Sequence, residues 1–144
     1  MPQRPVRSII ERQTPVTCPP ETSVAEAAKL MHRHRVGALL VVEGERLRGI
    51  FTERDALFKV IAEERDPRAT AVSEVMTGDP QTIAPDRPFG HALHMMFEGG
   101  FRHVPVIENG RPIGVVSARD ALGSELQEFA SNLEARERIG EILG

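Results

Sequence analysis

The sequence predicts an α/β (α+β) fold in which two pseudo-symmetric repeats, each in the order β-α-β-β-α, form one domain. The main observation is that residues 49–57 (GIFTERDAL) return as residues 114–122 (GVVSARDAL), 65 residues later. A fixed period of this kind indicates one supersecondary unit that was copied and that cannot bury its apolar face alone. Two copies are too few for a solenoid, and 144 residues suit a single domain with a substantial core. We therefore expect two quasi-equivalent clefts between the halves.

The elements of the first repeat follow from local signals in chain order. Prolines within residues 15–20 restrict their neighbours to extended geometry, which predicts a first strand. Ser23 is expected to cap the first helix, with Glu26 three residues later as its capping-box partner. The apolar run over residues 36–42 is typical of a strand buried on both faces. Residues 47–51 predict the strand that returns beside it.

The second repeat carries clearer signals for the ends of its helices and strands, at the equivalent positions. Asp86 and Pro88 predict the start of its first helix, as a cap followed by a residue preset for helical φ. Asn109 and Gly110 form a strong two-residue hairpin signal. They separate predicted strands over residues 104–107 and 113–116.

These signals divide the chain into a first repeat at residues 8–66, a second at residues 73–124, and an amphipathic C-terminal helix at residues 125–144. The start of the helical tail carries apolar residues spaced four, three and four apart: Leu122, Leu126, Phe129 and Leu133. Such a seam on a helix flanked by charge is expected to bury itself. We expect it to pack on its own domain or on an identical subunit.

Composition limits the partners. The formal net charge of −3 and the absence of Trp and Tyr argue against nucleic-acid binding through a basic face or aromatic platforms. No apolar run approaches the roughly 18 residues that a membrane span needs. Cys18 is the single cysteine, so no internal disulfide can form. A reducing compartment and a cytoplasmic location are expected.

Catalytic and metal chemistry are not indicated. The five histidines lack the acidic or cysteine neighbours at the spacing that a metal site requires. No nucleophile elbow, phosphate-binding loop or Ser-His-Asp order is present. We therefore expect neither an enzyme nor a metal protein.

One motif carries a chemical hypothesis: Gly-apolar-apolar-Thr/Ser-x-x-Asp occurs twice, at a predicted strand-to-helix junction. Thr52 with Asp55, and Ser117 with Asp120, resemble helix capping boxes. The same geometry also suits a ligand, because a helix N-terminus attracts phosphate and a carboxylate can accept two bonds from a ribose diol. Duplication of the whole block favours the ligand interpretation over pure capping.

With this block, residues 34–42 (HRVGALLVV) and 101–107 (FRHVPVI) make the chain resemble a tandem pair of cystathionine-β-synthase-type (CBS) domains, a Bateman module. The resemblance covers roughly residues 8–124. It implies that the repeats pack sheet to sheet and that the clefts bind adenosyl ligands: AMP, ADP, ATP, NAD or S-adenosylmethionine. It also implies a homodimer through the second helix of each repeat, with Leu57, Phe58 and Leu122 as candidate contacts.

The resemblance also implies roles for individual residues. Asp55 and Asp120 would accept hydrogen bonds from ribose hydroxyls, and Thr52 and Ser117 would lie near the phosphate or ribose. A further group would read the adenine or close the pocket: Val36, Gly37, Ala38, Arg102, His103, Val104, Val16, Thr17, Gln81 and Thr82.

Phosphate contacts come from basic residues. The resemblance places Arg102 where related subunits bind phosphate. Arg54 and Lys59 are further candidates because they lie on the first turns after Thr52. For these two, the alternative of solvated helix charges stays open.

The two clefts cannot be chemically equivalent. Leu40 in the first repeat corresponds to Pro105 in the second, and Gly37 corresponds to Arg102. The sequence predicts a regulatory module that binds an adenine nucleotide of the AMP, ADP, ATP or NAD class and signals to an unknown effector by conformational change. The alternative is a ligand-free dimerisation or interaction module whose Thr/Asp pairs only cap helices.

Overall fold

The computed structural model describes the backbone of residues 3–143 and the side-chain surroundings of residues 3–137. The elements, in chain order, are α1 (Val6–Ile10), β1 (Thr17–Cys18), α2 (Val24–His34), β2 (Ala38–Glu43), β3 (Arg46–Thr52), α3 (Glu53–Asp55, continued as a π-helix over Ala56–Ile61), α4 (Val72–Val75), β4 (Thr77–Gly78), α5 (Phe89–Gly99), β5 (His103–Glu108), β6 (Arg111–Ser117), a 3-10 turn (Ala118–Asp120) and α6 (Gly123–Leu143).

The strands form two sheets, one for each repeat. The first has the order β1-β2-β3-β4, with β1 parallel to β2 and the other pairs antiparallel. The second consists of the β5-β6 hairpin, which Ile83 extends by one parallel bridge to Val106. The predicted mixed α+β fold with two repeats is confirmed, but the first strand of the second repeat is reduced to that bridge.

The second helix of the second repeat differs from the prediction. After the turn Ala118–Asp120, the backbone of Ala121 is extended, with ψ 134°, so the helix cannot continue. A new start is fixed by the Glu125 carboxylate, which accepts a hydrogen bond from the Leu122 N–H at 2.8 Å. Helix α6 then runs from Gly123 to Leu143, and residue 144 of the predicted tail lies outside the described residues.

The predictions for the ends of the helices and of the hairpin are confirmed in part. The Ser23 side chain accepts the Glu26 N–H at 3.1 Å and so caps α2. Asn109 and Gly110 both have positive φ (54° and 79°), as a two-residue hairpin of the predicted type requires. The predicted helix is present as α5, but the roles given to Asp86 and Pro88 at its start were wrong. Pro88 is the extended residue before the helix, and the Asp86 carboxylate instead pairs with Arg7.

The segment that precedes each repeat packs on the other repeat. Helix α1 buries Val6 and Ile10 in the core of the second repeat. Helix α4 buries Val72 and Val75 in the core of the first. Main-chain hydrogen bonds also join each segment to the other repeat. The Val6 N–H donates to the Arg87 carbonyl, and the Val72 N–H donates to the Thr22 carbonyl. Val6 and Val72 are 66 residues apart, one more than the 65-residue period of the repeated motif.

A third apolar cluster joins the two sheets. Ala38, Leu40 and Ile50 are buried, and Val115 of the second sheet packs against them. The repeats therefore pack sheet to sheet as expected. Neither repeat presents a complete core without the other.

The seam of the C-terminal helix packs in part on its own domain. Phe129 lies 4.8 Å from the His94 ring and 5.8 Å from Phe97, between ring centroids. Leu122 and Leu126 stay half exposed. None of the helices within residues 3–143 is long and apolar enough to cross a lipid bilayer.

Candidate functional site

A cleft of about 460 Å³ lies between the repeats, where the starts of β2 and β5 meet the end of β6. Half of the residues that the sequence predicts for binding lie around it: Val16, Val36, Gly37, Ala38, Arg102, His103, Ser117 and Asp120. Both repeats contribute to the wall. A molecule in this cleft would therefore contact both repeats at once.

The middle of the cleft is tightly built around Gly37. A Cβ added to Gly37 would lie 3.1 Å from the Glu53 carboxylate and 3.5 Å from His103 Nε2. Because His103 is largely removed from water, its pKa is lowered. It is therefore neutral at pH 7, with one ring nitrogen to donate a hydrogen bond and one to accept.

The rim of the cleft is basic. Arg35, Arg102 and Arg119 line it, and none of the three forms an ion pair with another residue that the structure describes. Two carboxylates, Glu53 and Asp120, face them. With three arginines against two carboxylates, the cleft suits a ligand that carries negative charge and can accept guanidinium hydrogen bonds.

The second-repeat motif forms the far wall. The Ser117 N–H donates to Asp120 Oδ2 at 2.7 Å, and the Ser117 hydroxyl lies 3.4 Å from the same oxygen. The turn that follows is only three residues long, so the helix N-terminus that we expected to attract phosphate is not built here. Arg4 holds the turn from outside, donating to the Asp120 carbonyl at 2.8 Å and to Glu125 at 2.7 Å.

The first-repeat motif is a closed capping box. Thr52 Oγ1 accepts the Asp55 N–H at 3.2 Å, and Asp55 Oδ2 accepts the Thr52 N–H at 3.0 Å. Asp55 Oδ1 lies 3.0 Å from the Lys59 ammonium, which also donates to the Val75 carbonyl. The capping geometry that the sequence offered as an alternative is thus fully formed in this repeat.

The other predicted residues lie outside the cleft described above. Val104 is buried in the core of the second repeat, and Thr17 is exposed on β1. Gln81 and Thr82 are exposed before the bridge residue Ile83. Arg54 lies over the Phe58 ring and donates to the Gly100 carbonyl at 3.4 Å.

Several cleft residues were missed by the sequence reasoning. Arg119 occupies the position of Arg54 in the duplicated block, so the repeat itself could have identified it. Arg35 and Glu53 gave no pattern of their own. Gln13 gave none either, and its side chain pairs with the β6 backbone at Val115, at 3.0 and 3.1 Å.

The similarity of this chain to known proteins identifies its family. The sequence model of the CBS domain matches this chain twice, at residues 6–62 and 72–126. The chain belongs to the CBS-domain family. It is a CBS pair, and such a pair is a regulatory module. Over 122 residues it is 36% identical to the mitochondrial CBS domain-containing protein CBSX3 of Arabidopsis thaliana, covering 81% of this chain but only 59% of that protein.

Two solved CBS structures share the architecture. A CBS domain protein from Pyrobaculum aerophilum, complexed with AMP, superposes with a TM-score of 0.79 at 25% identity, covering 89% of this chain and 99% of that one. The CBS domain pair of protein MJ0100, in complex with 5′-methylthioadenosine and S-adenosyl-L-methionine, gives a TM-score of 0.75 at 29% identity, covering 83% and 93%. Each of these similar proteins binds adenosyl compounds.

Proposed function

We propose that this CBS pair binds a phosphorylated adenine nucleotide, of the AMP, ADP, ATP or NAD class, in the cleft between its repeats and signals by conformational change. The observation that carries the proposal is the rim of the cleft: three arginines without ion-pair partners among the described residues, beside Ser117 and Asp120. Binding of AMP by the similar Pyrobaculum protein supports the ligand class. The positive rim favours a phosphorylated ligand over a cationic sulfonium such as S-adenosylmethionine.

The proposed contacts divide by chemistry. Asp120 accepts hydrogen bonds from the ribose diol, using the oxygen that Ser117 leaves free. Arg35, Arg102 and Arg119 bind phosphate oxygens. Neutral His103 and the backbone of residues 36–38 contact the adenine. Val16 closes the apolar side of the cleft.

The signal follows from linkage. A ligand that touches both repeats stabilises the arrangement that it fits best, by as much as its affinity differs between arrangements. Arg4 bonds both the Asp120 carbonyl and the Glu125 carboxylate, so the cleft wall and the start of α6 are joined through one side chain. Ligand binding would thus reach the C-terminal helix.

We also propose a homodimer through the second helices. Leu57, Phe58 and Ile61 lie on the second helix of the first repeat and are more than half exposed. Leu122, the residue equivalent to Leu57, is also more than half exposed and lies just before α6. Association of two chains would cover these exposed apolar side chains. The effector that reads this assembly is a protein of unknown identity.

A cytoplasmic location is part of the proposal. Cys18 is a free, buried thiol, and burial raises its pKa, which suits a small core residue in a reducing compartment.

The test is a binding panel of AMP, ADP, ATP, NAD and S-adenosylmethionine, followed by thermal shift and calorimetry. A ligand at about 100 times its Kd adds about 2.7 kcal/mol to the free energy of unfolding. We expect a clear stabilisation by at least one phosphorylated adenosine compound, lost in Arg102→Ala and Asp120→Asn. The matched control is Arg33→Ala, which removes an exposed arginine of α2 that does not line the cleft.

The second candidate is a ligand-free dimerisation module. The complete capping box at Thr52 and Asp55 favours it, because there the duplicated motif already has its hydrogen bonds satisfied. Unchanged melting with every compound in the panel, for a protein that sediments as a dimer, would establish this alternative.

A further inference from the structure

The two carboxylates of the duplicated motif differ in what holds them. Asp55 is 7% exposed, and each of its oxygens has a partner: Oδ2 bonds the Thr52 N–H and Oδ1 bonds the Lys59 ammonium at 3.0 Å. Asp120 is more open, and only its Oδ2 accepts hydrogen bonds from residues that the structure describes. A ribose diol needs a carboxylate oxygen that is free to accept its hydrogen bonds. Of the two residues, only Asp120 keeps an oxygen, Oδ1, without a partner among the described residues.

The sequence explains this difference. Lys59 lies four residues after Asp55, on the same face of one continuous helical segment, where opposite charges attract. The Val75 carbonyl of α4 holds the ammonium from the other side. The position equivalent to Lys59 in the second repeat is Ser124, which lies beyond the extended residue Ala121. No cation can reach Asp120 from that position.

A second contact separates the clefts. Gly100 and Arg35 are equivalent residues that end α5 and α2 in the left-handed conformation. Beside the first-repeat motif, Arg54 donates to the Gly100 carbonyl at 3.4 Å and is so held against the other repeat. At the equivalent place in the second repeat, Arg119 makes no such bond with Arg35, and both arginines line the cleft.

We propose that Lys59 keeps the ribose carboxylate of the first repeat occupied, so that each chain binds one nucleotide, in the cleft of Asp120. Lys59 is then a specificity-determining residue and contributes nothing to phosphate binding. This inference rests on the proposed nucleotide-binding function. Beyond that function, it identifies the cleft that binds the nucleotide and the residue, Lys59, that closes the other.

Isothermal titration calorimetry of the full chain with AMP and with ATP tests the inference. We expect one site per chain in the wild type and in Asp55→Asn, and a loss of affinity of about tenfold or more in Asp120→Asn, as for a lost charged acceptor. Lys59→Met should reveal a second, weaker site. Lys29→Met is the matched control, since it removes an exposed lysine that pairs with Glu26 on α2.

The outcomes distinguish the role of Lys59 from nucleotide binding itself. Two sites in the wild type, loss of binding in Asp55→Asn, or a single site in Lys59→Met would each overturn the role of Lys59 while leaving nucleotide binding intact. If the wild-type chain is folded by circular dichroism and gives no binding heat with either nucleotide, the proposed function is overturned, and this inference with it.

Discussion

Gly49 lies where the segment that contains α4 and β4 packs most closely on the first repeat. A Cβ added there would lie 2.5 Å from Met76 Sδ and 2.7 Å from the Thr77 carbonyl oxygen. The methionine side chain can move, but the carbonyl belongs to β4, which pairs with β3. Gly49→Ala must therefore push β4 away from the sheet. Overpacking of this kind costs about 1–3 kcal/mol.

The matched control lies directly opposite. Gly78 pairs with Gly49 across the two strands, and a Cβ added to it meets no atom within 4 Å. Gly78→Ala should leave the free energy of unfolding unchanged, or raise it slightly because the unfolded chain loses freedom. Urea denaturation of both variants, with equal m-values, measures the difference. Equal stability of the two variants would refute the close packing of the exchanged segment.

Three other predictions follow from single contacts. Arg4→Ala should lower the free energy of unfolding by about 1–2 kcal/mol, because it leaves the partly buried Glu125 without its ion-pair partner. Lys29→Ala, which breaks an exposed pair, should cost at most about 0.5 kcal/mol, and urea denaturation checks both values. Ser23→Ala should cost about 1 kcal/mol as a lost helix cap, and Ser8→Ala, whose exposed hydroxyl bonds only the Pro5 carbonyl, should cost less. Stability should fall as the pH drops below 6.5, since burial lowers the pKa of His103 and of His94 and the unfolded chain then binds more protons than the folded one. His103→Gln should flatten that slope in urea titrations between pH 5 and 7, and an unchanged slope would contradict the burial of the ring.

Much of the fold was readable because the repeat and the apolar runs are strong local signals. The hairpin at Asn109 and Gly110, the cap at Ser23 and the buried strand β2 were each predicted near their observed places. The exchange of α1 and α4 was not, because it depends on tertiary packing against Gly114 and Gly49, where a glycine signals close approach but not which segment approaches.

Only half of the residues predicted for the candidate site lie around the cleft, for a related reason. Duplication identifies residues that the two repeats share, such as Asp55 and Asp120, but it hides what makes them different. Lys59 illustrates this. The sequence interpretation offered phosphate binding or a solvated helix charge for it, although its spacing from Asp55 is also that of an ordinary helical ion pair. Residues that line the cleft from loops, such as Arg35 and Glu53, belong to no periodic pattern and appear only once the chain is folded.

The difference between the clefts and the placement of the C-terminal helix have one structural origin. In the first repeat, the helix continues unbroken past Asp55 and brings Lys59 onto its carboxylate. In the second, the chain turns out at Ala121, which leaves Asp120 open and starts α6 in a new direction. Arg4 bonds both sides of that break. If the nucleotide binds at Asp120, the same break that opens the site also connects it to the helix through which a signal can leave.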